Sequence, residues 1–543
     1  MKNRLLVFLV LLGATVCLLV ANVFVQDRIA GVVEENKLVD ETFVAEGTPP
    51  TVAFSMMALG GFRGLLADIL WIRAGDLQQK GRYYELVQLS DWILKLQPKF
   101  PTAAAYMGWN MAYNISVTCK RPEDRWRWVR RGIQLMQDAV TMNPNDPNVY
   151  HELAWIYQHK LGNVLDDAQQ FYKETMAREL IFVYGKHYPD WEAWAAAPAS
   201  EKELRQRFPD GSPAWLAIMA YNQGDLERLF GEFRLNGELP KELKEKLEPE
   251  DASALDLYFR RKWLKKDWYV EPETILAINK AYGELDWLLP ESYAAYWAYD
   301  GLNHSPDRKN VPLTRLVLQS LVASFNYGRM LLPKENEVSN FFILVPNTGV
   351  IEAARALYKE VLKSEDYSHV TFNALYENFL IDSIVTLYTY SQKEAAAQLF
   401  QELRTVTENK KAKTMTLDQF VLNEWEDDIE SGDFKQIANE LEGLIFTSCL
   451  LIGYGDREAA TDHLALAARI YAGYQKQHEG YERVELPSFS EMKARTARAI
   501  IENYPPEIAN RIRAELEEDL MKQEQADAEK AAVSGAEQEA AGQ

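Results

Sequence analysis

The feature that most restricts how this chain can fold is a helix written twice. Residues 83–98 read YYELVQLSDWILKLQP and residues 129–144 read VRRGIQLMQDAVTMNP, each an amphipathic run closed by a polar residue and proline. The helix ahead of the second run has a later counterpart too. In YMGWNMAY, Tyr106, Trp109, Asn110 and Tyr113 stand at i, i+3, i+4 and i+7, and in YHELAWIY, Tyr150, Leu153, Ala154 and Tyr157 keep that spacing. Such spacing gathers four side chains on one helix face. One helical hairpin cannot bury that face alone, so hairpins of this kind stack and share a core. Proline ends the second helix because its ring cannot continue the intrahelical hydrogen-bond ladder. The body is therefore expected to be all-α. Runs such as DWILKLQP, LYENFLIDSIVTLY and ATDHLALAARIY keep apolar residues three and four apart, and no stretch shows sustained strand alternation. The pairs Asp76–Lys80 and Asp91–Lys95 add i,i+4 support.

This pattern resembles the tetratricopeptide repeat (TPR), a helix–turn–helix unit with Trp or Tyr, Leu, Gly or Ala and Tyr on its first helix, then Ala, Phe, Ala and Pro. Residues 441–472 place Leu444, Thr447, Ser448, Leu451, Gly455, Ala460, Leu464 and Ala467 on the signature positions without a gap. Residues 377–408 supply Leu380, Ser383, Ile384, Leu387, Ala396, Phe400 and Leu403. Residues 67–98 supply Leu70, Ala74, Leu77, Leu86, Ile93 and Pro98, although Arg73 and Ser90 depart from the pattern. The copy at 103–144 carries an extra CKRPEDRWRW between its helices, and 147–178 has Ala168 and Tyr172 on its second helix. A weaker copy at 290–333 opens on Tyr293 and Trp297 and closes on Leu321, Phe325 and Pro333.

The resemblance implies a TPR-like helical-hairpin solenoid in two blocks, 51–185 and 291–475. Between them, residues 186–290 read as an irregular, Trp-, Lys- and Glu-rich helical insert broken by FPDGSP and EKLEPED. C-terminal helices over 476–520 and an acidic tail at 521–543, expected to be disordered, complete the chain. The competing reading is an irregular all-helical domain. The run GGFRGLLADILWIRAGDLQQKGRYYELVQLSDW, with WNMAYNISV and DRWRWVRRGI, also resembles bacterial membrane-anchored repeat proteins. That likeness implies a bacterial, extracytoplasmic setting and supplies no activity.

Residues 5–25, LLVFLVLLGATVCLLVANVFV, hold no charge and as a helix span roughly 31 Å, about one bilayer core. Lys2 and Arg4 precede the run, while Asp27 and Arg28 cancel after it, so the N-terminus is expected in the cytoplasm and the body outside. A cleaved signal peptide is the rival, but Leu19 before Ala21 and Leu12 before Ala14 make poor cleavage sites. Residues 26–50 then form a linker. The apolar stretch 51–62, interrupted soon after by Arg63 and Asp68, suits a helix resting on the membrane or capping the array. A formal net charge of −21 argues against a nucleic-acid partner, which needs a basic surface. The three cysteines, Cys17, Cys119 and Cys449, form no zinc spacing, and at most Cys119 could pair with Cys449.

Chemistry-bearing motifs are few. HELAW at 151–155 nearly spells the zinc-protease HExxH, but Trp155 stands where the second metal-binding histidine is needed. GYGDRE at 453–458 lacks the third glycine of a dinucleotide fingerprint and reads as a turn within a repeat. No cofactor and no metal are expected. The family's inner groove is lined by four positions of the first helix, which by the resemblance are Asn148, His151, Trp155 and Gln158 here. The preceding copy offers Met107, Met111 and Asn114, and the first copy offers Asp68, Trp71 and Gln78. Trp and Met suit adaptable apolar contacts with a peptide. Arg125, Arg127, Arg130 and Arg131, beside Trp126 and Trp128, are candidates for binding an anionic glycan, lipid headgroup or acidic peptide, or else a solvated face with local ion pairs. NFFILVP at 340–346 is either tucked into the core or a partner contact.

The reading is a membrane-anchored extracytoplasmic scaffold that binds proteins or peptides in envelope assembly, secretion or surface-structure biogenesis. It is expected not to be an enzyme. The alternative is an all-helical enzyme acting on envelope glycans, with its site in the 186–290 insert.

Overall fold

A computed structural model describes residues 62–517 except 97–99, 163–165, 307–309, 333–336, 339–341, 364–368, 391, 409, 431–433 and 478–485, together with Val25 and Arg28. The expected anchor, apart from Val25, lies outside the described residues, as do the linker (but for Arg28), residues 51–61 and the acidic tail. Among the described residues no helix is long and apolar enough to cross a membrane.

The chain divides into two units, at Phe100/Pro101, so the expected block 51–185 spans a unit boundary. In the first unit, α1 (Phe62–Gln79) and α2 (Tyr83–Leu96) form a hairpin. Ala67, Ala74 and Leu77 are buried from one helix, and Leu86, Leu89 and Ile93 from the other. The turn requires φ +68° at Gly81, a left-handed backbone that glycine adopts without steric cost. Ser90, off the repeat pattern, is fully buried, and its hydroxyl donates back to the Leu86 carbonyl at 2.6 Å. That internal bond is what lets a polar residue sit there.

The second unit begins with α3 (Pro101–Trp109), which runs on as a π-helix over Asn110–Ile115, and α4 (Pro122–Met142). α4 opens with Pro122 and the acids Glu123 and Asp124 in its first turn, where they complement the helix dipole. α5 (Pro147–Trp155) likewise runs on as a π-helix over Ile156–Gly162, and α6 (Gln169–Tyr184) packs beside it. The insert supplies short helices α7 (Trp191–Ala196), α8 (Glu201–Arg207), α9 (Pro213–Ala220), α10 (Leu226–Asn236) and α11 (Lys241–Lys244). The longer α12 (Pro249–Trp268) and α13 (Pro272–Tyr282) follow. Then come α14 (Pro290–Asn303) and α15 (Val311–Tyr327), which pack together. The later elements are α16 (Ile351–Lys363), α17 (His369–Thr389), α18 (Lys393–Val406), α19 (Lys410–Thr414) and α20 (Leu417–Glu430). α21 (Phe434–Tyr454), α22 (Arg457–Gln477) and α23 (Phe489–Asn503) complete the named helices.

Among the described residues the regular structure is helical but for one small feature. β1 (Arg329–Leu331) and β2 (Ile343–Val345) pair antiparallel, with Met330 opposite Leu344. Strands of three residues are too short to declare a period of two, so NFFILVP showed its apolar character in the sequence and not its strand. Each stretch matched to a repeat copy forms a pair of packed helices: α1–α2, α3–α4, the α5 stretch with α6, α14–α15, α17–α18 and α21–α22. Gly455, at φ +92°, turns the last of these, where GYGDRE was read as a turn.

Tyr150, Leu153, Ala154 and Tyr157 are all 1% exposed or less, so the packing face is as the spacing predicts. The insert is not set apart from the repeat-like pairs. Trp268 and Trp287 from its end pack on Tyr293 of α14, at ring-centroid distances of 5.5 and 6.1 Å. Tyr293 in turn lies 5.3 Å from Tyr157 and shares a 2.8 Å hydrogen bond with the Tyr184 hydroxyl. One aromatic core therefore joins the α5–α6 pair, the insert and α14.

Candidate binding cleft

α5 and its π-helical extension pack against α14, and α5 also against α15. Beside this junction lies a cleft of about 670 Å³, within the range of roughly 300–1,000 Å³ common for ligand sites. Trp155, Gln158, His159 and Gly162 line one side, Gln169, Gln170 and Lys173 of α6 another. Glu291 of α14, Gln319, Val322, Ala323, Asn326 and Tyr327 from α15 and its end, and Phe342, Ile343 and Leu344 at β2 complete it.

The expected groove residues fare differently. Trp155 and Gln158 do line the cleft. The π-helix that begins at Ile156 closes i→i+5 bonds and so changes the register that a regular α-helix would give. His159 comes to stack on Trp155, with centroids 4.9 Å apart and planes 10° apart, while His151 lies parallel to the same indole at 6.3 Å. The near-match to HExxH is thus a column of three rings, with an indole in place of a metal. His151 and Asn148 do not line the cleft: His151 meets Glu152 Oε1 at 3.3 Å, and the exposed Asn148 is held by Asp146, which caps α5.

Met107 and Met111 require correction. Both are 1% exposed and cannot face a partner, because α3 and its π-helical extension press onto α4. Gly108 and Gly132 make that approach close: a Cβ on Gly132 would stand 2.7 Å from the Gly108 carbonyl oxygen. Asn114 is half-buried and donates to Asn110 Oδ1 at 2.6 Å. On α1, Asp68 is exposed, Trp71 and Gln78 are half-buried, and Trp71 meets the Phe100 ring at 6.2 Å.

The arginine island is mostly bound internally. Arg125 pairs with Asp167 and donates from Nε to the Cys119 carbonyl at 2.9 Å. Arg130 lies 3.9 Å over the Trp268 ring and donates to the Asp267 carbonyl at 2.8 Å. Arg127 is exposed with Asp124 at 3.3 Å, and Arg131 is half-buried. An anion would compete with the protein's own carboxylate at Arg125 and with its own carbonyl and indole at Arg130.

Sequence reasoning missed the charged floor of the cleft. Lys173 Nζ and Glu291 Oε1 are 3.0 Å apart, with both side chains less than 5% exposed. The second carboxylate oxygen, Glu291 Oε2, is buried without a hydrogen-bond partner, and so is Nδ1 of His159. Burial, then the nearby charge of Lys160, holds the His159 imidazole below its ordinary value near 6.5, so it is neutral at pH 7. Gly162 makes room for the pair: a methyl there would come within 3.1 Å of Glu291 Oε1. The signal was present in QFYKETM, where Lys173 stands between core residues Tyr172 and Met176. A charge inside a buried stripe asks for a partner.

Several carboxylates of the insert are tied down. Asp256 pairs with Arg260 at 2.6 Å and Glu273 with Arg261 at 2.5 Å. Asp267 pairs with Arg234. Asp286, 2% exposed, accepts from the backbone of Leu288 and Met330 at 3.1 and 2.8 Å and meets His187 Nε2 at 3.1 Å. These contacts join segments of the fold. Cys119 and Cys449 are both free thiols, and burial pushes that of Cys449 up to about 11. Among the described residues no group of His, Cys, Asp and Glu is arranged to hold a metal ion.

No family model and no curated protein matches this chain.

Proposed function

We propose that the chain is a membrane-anchored, extracytoplasmic, TPR-like helical scaffold that binds a protein or peptide partner through the Trp155–Glu291 cleft. It would act in envelope assembly, secretion or surface-structure biogenesis. The anchor and orientation rest on the uncharged run 5–25 and on Lys2 and Arg4 ahead of it. The repeated helical pairs support the repeat-like scaffold.

The observation that carries the binding role is the cleft itself, which combines an aromatic column, several carboxamides and the buried Lys173–Glu291 pair. The glycan-enzyme reading has less support, because the insert carboxylates named above serve ion pairs and backbone contacts instead of converging on one point.

The test is a photo-reactive benzophenone amino acid in place of the exposed Gln319, introduced in living cells and irradiated. A discrete protein adduct is expected, and protease added to intact spheroplasts should digest it. No protein adduct would remove the binding role, and an adduct shielded from protease would reverse the orientation.

A further inference from the structure

We propose that the cleft takes an uncharged, amide-bearing stretch of polypeptide, its amides paired by the carboxamides that line the cleft. This rests on the cleft being the partner site, and it adds what the partner must present there.

Charge sets the first limit. Lys173 at 3.0 Å already neutralises Glu291, and both side chains are buried. A cationic group brought to this floor would meet the Lys173 ammonium, and an anionic group would meet the Glu291 carboxylate. Either would be an uncompensated charge in a desolvated place. His159, neutral at pH 7, changes neither sign.

Hydrogen-bonding capacity sets the second. The carboxamides of Gln169, Gln170, Gln319 and Asn326 line the cleft. Each offers both a donor and an acceptor, the complement of a peptide amide, which offers both as well. Gln170, Gln319 and Tyr327 are exposed at the rim, so a chain can continue beyond the cleft on leaving the floor.

Shape separates a polypeptide from a sugar. Saccharide sites commonly use an open aromatic face, but His151 and His159 flank Trp155 in the ring column. What remains is the indole edge, and Val322, Ala323, Phe342, Ile343 and Leu344 also give the cleft an apolar wall. That wall suits neutral aliphatic side chains flanking an amide.

The experiment is a binding titration of the full chain in detergent. The probes are short acetylated and amidated peptides of apolar sequence with Gln, Lys or Asp at the centre, and chitohexaose as a carbohydrate probe. The Gln peptide is expected to bind at least about tenfold more tightly than the Lys or Asp peptide, and chitohexaose not to bind. The paired rim change Gln170→Ala/Gln319→Ala should weaken the Gln peptide with unchanged circular dichroism. Tightest binding by the Lys or Asp peptide, binding of chitohexaose, unaltered affinity in the rim variant, or no binding by any probe would each overturn the inference. A Gln319 photo-adduct alongside such a result would leave the scaffold reading standing and remove only the amide specificity.

Discussion

Lys173→Met is expected to lower the unfolding free energy by about 3–5 kcal/mol, because it strands the Glu291 carboxylate in a buried site. In the native protein the Lys173 ammonium is the ionic partner of Glu291, at 3.0 Å, and neither side chain reaches solvent appreciably. Removing the cation leaves Oε1 as unsatisfied as Oε2 already is. Combining Lys173→Met with Glu291→Leu should recover most of the loss, since apolar replacement of a whole buried pair is often neutral or better. Urea unfolding of the wild type, both single variants and the double variant completes the cycle. A Lys173→Met loss below about 1 kcal/mol, the scale of a surface pair, would mean that the site is wetter than its burial indicates.

Gly132→Leu is expected to cost about 3 kcal/mol or more, the upper end for overpacking. Even the first added carbon would stand 2.7 Å from the Gly108 carbonyl oxygen and 3.3 Å from the Ala112 nitrogen. Those are backbone atoms, so the α3–α4 pair must move apart to relieve the clash. Gly231 is a control in α10, where a Cβ would meet nothing within 4 Å. Gly231→Ala should be neutral or should stabilise by up to about 1 kcal/mol through helix propensity. If Gly132→Leu and Gly231→Ala melt alike, the close crossing is not a structural constraint.

The contrast between these glycines shows where the sequence was legible. Local helical periodicity placed Tyr150, Leu153, Ala154 and Tyr157 on a buried face, and it did so correctly because each residue's face depends only on near neighbours. The π-helices at Asn110–Ile115 and Ile156–Gly162 were not legible, since an α-helical period was assumed through both. The groove positions carried over from the resemblance included Met107, in the regular part of α3, and Met111, and both are core; His159 beside Trp155 was overlooked.

Longer-range features were harder still. Nothing local links Lys173 to Glu291, which lie on different helices and on opposite sides of the insert in sequence. The insert itself read as irregular and separable, yet Trp268 and Trp287 close the aromatic core around Tyr293. Its many tryptophans recorded burial, and only the fold says against what. Likewise Ser90 departed from the repeat pattern without harm, because its hydroxyl is satisfied within its own helix.

The most direct test of the scaffold account is Trp155→Ala in a quantitative capture of the protein that cross-links at Gln319. Trp155 is half-buried at the cleft edge and outside the fully buried aromatic core, so the variant should stay folded. Truncating a central aromatic at a binding site typically costs about 2 kcal/mol or more. The account predicts at least about tenfold weaker capture with helicity and melting temperature nearly unchanged. Capture at wild-type strength, or a variant that unfolds, would contradict it.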